Sequence, residues 1–522
     1  MTSGSPRSLV KAASIITAAA VLSRILGYVR EMLLAARFGA TYTTDAYVTA
    51  HDLPYSLFLT VSAGVVMVFI PVYREVVQRR GHEAAGRLVV SVTNLTLLFA
   101  LALLALGWAL APWFVPILVP WFPEHAHALT VSLTRTMLPM LLFMGLGGVA
   151  TAVLNAHHRF TAPAFVGLVN NLPVVLTLLV VSQTAHIRWV AWSVVAGAAL
   201  GALMLLPSLR RLGIGWRPAV DWEDPGLAKV GRLIVPVLIT TGIIQVQDFF
   251  DRFLASGLAE GSISALNYAV RVNSLPYGVV GTSIATVLYP TLAAQAADQQ
   301  ADELRATLAR GLRMLSFVLL PMAVGLLLFR EPIVQLMFQR GAFDPAATRL
   351  TAYALLFYAP GILLFGWQDF LNRCFWALQD TRTPAWAAAG LVAFGLVFKL
   401  ALVGPLAHGG LALGQTLATL VSVGFLLWQL RKRLTYIGGR EILRSLGVHL
   451  ATAAAGGLAG WAVYGLIARA APGDGLVEQV VRLFPALGTV VVVHVALALL
   501  LGDREGAEVV SRAYRRLARR RA

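Results

Sequence analysis

Residues Ala20–Tyr55 read AVLSRILGYVREMLLAARFGATYTTDAYVTAHDLPY. The stretch begins as an apolar helix and carries Arg24, Arg30 and Glu31 where lipid-facing residues would ordinarily stand. An arginine at the centre of a bilayer costs about 2.5–3.5 kcal/mol on insertion scales, so such residues face a water-filled cavity or a partner. At ~100° per residue, Arg24 and Glu31 share one helix face with Gly27 between them, and Arg30 lies roughly a third of a turn away. Two readings follow. One is the wall of a polar cavity able to hold an anion; the other is an Arg24–Glu31 ion pair that locks helices together. Intramembrane charge marks a functional site by default, which favours the cavity.

Working outward, the 522 residues are 58% hydrophobic and only 13% charged, with a mean hydropathy of +0.74. That balance implies a polytopic membrane protein and excludes a soluble enzyme. The net charge of +17 sits in particular loops and at the C-terminus. There it sets orientation and meets anionic headgroups, so nucleic acid is not the expected partner. Cys374 is the only cysteine, which leaves no intrachain disulfide. Arg7, Lys11 and the alanines after them imitate a signal peptide, but the apolar run continues through Arg24 and Arg30. There is no Walker motif, HExxH or cysteine-rich metal spacing, and His157-His158 reads as a solvated loop pair. No cofactor is expected. The driving force would then be the membrane potential or a cation gradient.

The hydropathy pattern predicts an all-α fold of about fourteen spans. The ninth is expected over 312–336, and prolines 54, 139, 236, 276 and 360 mark expected kinks. Lys and Arg cluster after spans two, four, six, eight, ten, twelve and fourteen, which places both termini in the cytoplasm. An internal repeat supports two parallel halves. Leu53-Pro54-Tyr55 recurs as Leu275-Pro276-Tyr277, and the same offset sets Arg30 on Arg252 and Gly39 on Gly261. Ala156 and Pro163-Ala164 recur as Ala377 and Pro384-Ala385. A repeat of six helices keeps its orientation, and in such transporters the substrate site lies between the halves near the midplane. The expected division is 1–222 and 223–444 for two six-helix lobes, 445–503 for two extra helices, and 504–522 for a basic cytoplasmic tail. Small residues at Ala453–Gly457 and Gly460 predict either close helix approach or a shallow groove in the extra pair.

Polar residues in the second half add candidates. Asp248 and Arg252, and Asp369 and Arg373, stand four apart and can pair locally. Arg271 has no carboxylate at helical spacing and is assigned to the cavity. Lys399 lies in an apolar run, where it could either face inward or snorkel to an interface.

The run Ser23-Arg24-Ile25-Leu26-Gly27-Tyr28-Val29-Arg30-Glu31, then Phe38-Gly39-Ala40 and Asp45-Ala46, resembles the opening signature of the MurJ/MviN lipid II flippases of the multidrug/oligosaccharidyl-lipid/polysaccharide exporter superfamily. Ala265-Leu266-Asn267-Tyr268-Ala269 with Arg271, Phe338-Gln339-Arg340-Gly341-Ala342-Phe343, and Ala377-Leu378-Gln379-Asp380-Thr381-Arg382-Thr383-Pro384 resemble later motifs of the family. The chain departs from the usual pattern in the uncharged run Ser56–Gly64, in Val270 before Arg271, and in Lys399 where Asn is common.

The resemblance implies a flippase that moves a lipid-linked peptidoglycan precursor to the outer leaflet by alternating access. It implies that Arg24, Arg30 and Arg271 meet the pyrophosphate, with Gly27, Glu31 and Asp45 completing the site. Asp251 and Lys399 are the ion-coupling candidates, and the last two spans would hold the polyprenyl tail. Implied partners are the polyprenyl-pyrophosphate substrate, membrane lipids and cell-wall synthesis proteins. Guanidinium groups independently suit phosphate oxygens, which they bind by charge-assisted paired hydrogen bonds. A flippase for another polyprenyl-linked glycan stays open as an alternative. A drug/cation antiporter and a membrane glycosyltransferase fit the arginines and short external loops less well.

Overall fold

The computed structural model describes residues 6–181, 187–213, 215, 217–473, 475–503 and 506, so the expected basic tail lies outside the described residues apart from Gly506. Every regular element among them is helical. The first half runs α1 (Pro6–Phe38), α2 (Tyr42–Leu118), α3 (Glu124–Met137), α4 (Met140–Ala156), α5 (Thr161–Val180), α6 (Ile187–Arg210) and α7 (Pro225–Ser256). Next come α8 (Ser262–Pro276), a π-helical turn (Tyr277–Gly281), α9 (Thr282–Ala297), α10 (Ala301–Leu328), α11 (Arg330–Phe338), α12 (Pro345–Tyr358) and α13 (Gly361–Ala377). The chain ends with α14 (Arg382–Leu434), α15 (Gly439–Ala470) and α16 (Leu476–Leu500).

Among the described residues, eight helical stretches are long and apolar enough to cross a bilayer, or nine when the bent pair α12–α13 counts as one. Two of the long rods are broken: α2 at Gly81 (φ 83°) and α14 at Ala407 (φ 48°). Each break falls between two expected spans, so the architecture is compatible with fourteen. Three of the marked prolines stand at helix breaks. Pro139 separates α3 from α4, Pro276 precedes the π turn, and Pro360 sits at the 49° bend between α12 and α13. Proline lacks the N–H a helix needs and crowds the preceding turn. The ninth span differs from expectation. Its helix covers 301–328 and stops at Phe329, and residues 330–338 form the separate α11. Asp302 and Glu303 favour the earlier start, since carboxylates suit a helix N-terminus, and Pro332 cannot continue a helix from the preceding turn.

The repeat is visible in the backbone. Gly39 and Gly261 (φ 66° and 81°), His158 and Gln379 (58° and 57°), and Gly213 and Thr435 (73° and 63°) are all left-handed, and the members of each pair stand 222, 221 and 222 positions apart. A left-handed residue can terminate a helix by turning its last carbonyls inward, and His158 and Gln379 do so just past α4 and α13. Gly39 follows α1 directly, whereas Gly261 immediately precedes α8.

Packing divides the chain into two compact units, Met1–Ser264 with Arg340–Asp344 and Ala265–Gln339 with Pro345–Ala522. In the first, α2 packs on α3, α4 and α7, while α5 lies between α1 and α6. Phe69, Tyr73, Leu88, Val153 and Leu227 belong to one of its buried clusters. In the second, α15 packs on α16 and α10, and α13 on α10 and α14. Of the two expectations for Gly456 and Gly460, close approach is what forms. A methyl group at either would strike a backbone carbonyl of α16, that of Val490 or of Ala486. These glycines are a helix crossing, and no groove opens at them.

Candidate functional site

On α1, Arg24 is exposed and Gly27 faces open space, with nothing within 4 Å of where a methyl group would stand. Arg30, one third of a turn on, is held from two sides. Its Nη2 donates to Glu31 Oε1 at 2.6 Å and its Nη1 to Asn171 Oδ1 of α5 at 3.0 Å. Glu31 is buried and forms an ion pair with its sequence neighbour Arg30. Two fixed hydrogen bonds hold the guanidinium plane in one orientation, a preorganisation a lysine could not reproduce. The α1–α5 contact is close because Gly167 faces Ser23, and Arg37 secures its far end on the carbonyls of Leu178 and Leu179 at 3.0 Å each.

The start of α2 supplies a second polar layer. Tyr47, His51 and Tyr55 stack at four-residue spacing, with ring centroids 6.2 and 5.3 Å apart. His51 Nδ1 lies 2.9 Å from Asp52 Oδ1, and Arg252 of α7 donates to Asp52 Oδ2 at 2.5 Å. Arg252 meets its expected local partner through the Asp248 backbone carbonyl, at 3.1 Å. Tyr47 lies within electrostatic reach of Arg30, Glu31 and Asp52, which joins the two layers. Sequence reasoning missed Tyr47, His51, Asp52 and Asn171. The Asn170-Asn171 doublet in an otherwise apolar span was the available signal; nothing local linked Asp52 to Arg252.

Asp45 is fully buried and accepts the amides of Gly261 at 2.8 Å and Ser264 at 2.7 Å. It caps the N-terminus of α8 from the first turn of α2. Around it, three loops meet at left-handed glycines. A methyl group on Gly39 would strike Ala342 O, on Gly261 Ala40 O, and on Gly341 Ala36 O. The amide of Ala342 donates to Ala36 O at 2.8 Å, closing the cluster. Asp251 is part-buried on α7 beside Arg252.

In the second unit, Arg271 is exposed on α8, ahead of the π turn. Asp369 and Arg373 form the expected local pair at 3.2 Å. Lys399 is completely buried and donates to Gln415 Oε1 at 3.1 Å, so it does not snorkel. Gly414 packs directly on it across the α14 break. Among the described residues, no group of three or more His, Cys, Asp or Glu is placed to hold a metal ion. The arrangement suits an anion. Glu31 and Asp52 answer Arg30 and Arg252, while Arg24 presents its guanidinium from an exposed face beside the gap at Gly27.

Comparison with known proteins places this geometry. The family model described as "Lipid II flippase MurJ" matches residues 34–477. The lipid II flippase MurJ of Burkholderia cenocepacia is 30% identical over 82% of this chain and 85% of its own length. A probable lipid II flippase MurJ of Synechocystis is 27% identical over 96% of this chain and 97% of its own. Among solved structures, a lipid II flippase MurJ in an inward closed conformation has a TM-score of 0.79 at 22% identity, covering 93% of this chain and 99% of that one. An inward-facing multidrug resistance transporter of the MATE family shares the fold more distantly, with a TM-score of 0.68 at 13% identity and coverage of 81% and 98%.

Proposed function

The chain belongs to the MurJ family of lipid II flippases, and from that premise we propose how its residues serve the transport of lipid II. It is a transporter and not an enzyme, and a multi-pass protein of the inner membrane. Lipid II carries a pyrophosphate and sugars that hydrocarbon cannot solvate. Arg24 and Arg30 replace the lost hydration with guanidinium donors that match phosphate oxygens in pairs. Arg271 adds a third cation, and alternating access carries the head group while the tail stays in lipid. The observation that carries this reading is the α1 face, where an exposed Arg24 and an open Gly27 stand beside an Arg30 oriented by Glu31 and Asn171. Asp45 acts as a positioning residue by fixing the N-terminus of the helix that bears Arg271. The clustering of basic residues supports cytoplasmic termini.

Lys399 supports a cycle that needs no sodium, because its own ammonium fills a buried polar position in the α14 hairpin. The membrane potential would then drive transport. Expression in a cell depleted of its lipid II flippase tests the main reading. Growth should be restored by the wild-type chain and lost with Arg24→Ala, Arg30→Ala or Arg271→Ala, each still inserted. Rescue by all three variants would overturn the cationic site. Growth that fails with the wild type, together with turnover of another polyprenyl-linked glycan in vesicles, would reassign the substrate. Replacing sodium by choline in the vesicle assay should leave the rate unchanged; a rate that tracks the sodium gradient would refute the role given to Lys399.

A further inference from the structure

Two cavities adjoin in the first unit, away from α1. The larger, of about 710 Å³, is polar and lies at the end of the unit bearing the basic loops. His82, Glu83, Arg87, His157, Arg217 and Asp221 line it. The smaller, of about 460 Å³, runs between α2, α4 and α6. Apart from Thr93 and Arg210 its side chains are aliphatic, among them Leu97, Leu146, Val149 and Leu206. Val90 and Gly215 line both, so the polar chamber continues into the apolar slot. Both volumes fall within the range of small-molecule sites, about 300–1,000 Å³.

The polar chamber is built. Asn94 Nδ2 donates to the carbonyls of Arg217 and Ala219, both at 2.7 Å, and the Asp221 amide donates to Ser91 Oγ at 3.0 Å. These bonds pin the loop after α6 against α2. Tyr73 and His157 close the floor with a 2.7 Å hydrogen bond. In the slot, the Thr93 hydroxyl donates its proton to Val89 O at 2.7 Å. Over the two cavities the guanidiniums of Arg87, Arg210 and Arg217 outnumber the carboxylates of Glu83 and Asp221 by one. Glu83 pairs with Arg87 at 2.9 Å, whereas Arg210, Arg217 and Asp221 have no ion-pair partner among the described residues. An aliphatic slot between bilayer helices, joined to a polar chamber and together carrying one surplus guanidinium, matches one class of molecule.

We propose that these joined cavities hold an anionic phospholipid of the cytoplasmic leaflet, with one acyl chain in the slot and the phosphate where slot and chamber meet, between Arg210 of the slot and Arg217 of the chamber. The site is separate from the α1 residues and independent of the transport reading. A phospholipid satisfies both halves at once. A soluble phosphate would leave the slot empty, and a zwitterionic lipid would leave the one surplus guanidinium unanswered.

The test uses the full-length protein in nanodiscs and phosphatidylglycerol with a photoreactive acyl chain. Crosslinks should map to 89–97, 146–153 and 206–209. They should fall roughly fivefold for Arg210→Gln and again for Arg217→Gln, as expected for about 1 kcal/mol per cation near a membrane surface. Val90→Phe, which plugs the junction, should abolish them while the melting temperature stays near that of the wild type. Arg431→Gln with Lys432→Gln, in a basic segment of the second unit, should change nothing. Equal labelling by phosphatidylcholine, labelling indifferent to both arginine changes, or displacement by soluble glycerol phosphate would each overturn the proposal. Displacement by a polyprenyl pyrophosphate would overturn it in favour of a vestibule for the transported lipid.

Discussion

Asp45 and Gly261 stand 216 positions apart, and the carboxylate of one accepts the amide of the other at 2.8 Å inside a buried cluster of turns. The second oxygen takes the amide of Ser264 at 2.7 Å, so one side chain answers two donors at the start of α8. Removing it by Asp45→Ala leaves two buried amides unanswered, at about 1–3 kcal/mol each. A marked fall in melting temperature is expected with membrane insertion intact. Asp45→Asn should recover only part of it, because its NH2 group cannot accept from the second amide. A variant that melts with the wild type would show that the carboxylate is not a cap.

Gly261 and Gly27 should respond in opposite directions to the same substitution. At Gly261 the backbone is left-handed and a methyl group would meet the Ala40 carbonyl, so Gly261→Ala should cost at least about 2 kcal/mol. At Gly27 nothing lies within 4 Å, so Gly27→Ala should gain about 0.5–1 kcal/mol from helix propensity. Thermal denaturation in detergent decides between them. If Gly27→Ala also slows lipid II transport, the open space beside it is used by the substrate.

Arg24 and Arg30 should likewise separate. Arg30→Ala strands the buried Glu31 carboxylate and should destabilise by up to about 3 kcal/mol, the low end for a pair with one partner partly exposed. Arg24→Ala removes an exposed cation and should abolish transport while lowering the melting temperature less than Arg30→Ala does. Arg24→Lys should restore only part of the activity, because an ammonium lacks the planar pair of donors. Equal melting temperatures for the two alanine variants would contradict the anchoring of Arg30.

Outside the spans, Asp380 sets an acid limit. Burial raises its affinity for a proton, but the Thr383 hydroxyl at 2.5 Å, the Thr383 amide, Arg433 and the Arg382 amide outweigh this and hold the carboxyl below its usual range. A group depressed on folding contributes stability above its unfolded value and loses it as pH falls through the folded one. Melting temperature should therefore decline below about pH 4, where an ordinary Asp takes up its proton. Asp380→Asn should be less stable at neutral pH and flatter across this window. An unchanged acid limb in that variant would assign the loss to other carboxylates.

For the last two helices, Gly456→Leu or Gly460→Leu should part α15 from α16, since each glycine lies against a carbonyl of the partner helix. Proteolysis after the substitution should expose 471–475 before the rest of the chain opens. A variant that keeps its protection and melting temperature but loses binding of long-tailed lipid would restore a tail-binding role for these positions.

Sequence alone determined the class and the periodicity. Apolar runs of bilayer length leave the backbone no choice but helix, because hydrocarbon offers no other hydrogen-bond partner. The repeat was legible for a related reason: a left-handed turn needs a residue that tolerates it, so Gly39 and Gly261 keep their spacing in the text as in the fold. The arginines of α1 were legible because charge in an apolar run is costly and therefore conspicuous. Which partner each charge takes was decided only by tertiary structure. Helical spacing offered Glu31 to Arg24 and Asp248 to Arg252, and the fold brought Glu31 to Arg30 and Asp52 to Arg252. Asp52 lies 200 positions from Arg252, and Asn171 lies 141 from Arg30. The same holds for Gly456 and Gly460, where composition allowed a groove or a crossing and only the position of the Val490 and Ala486 carbonyls chose between them. Local sequence fixes which groups must find a partner; the three-dimensional path of the helices fixes which partner is within reach.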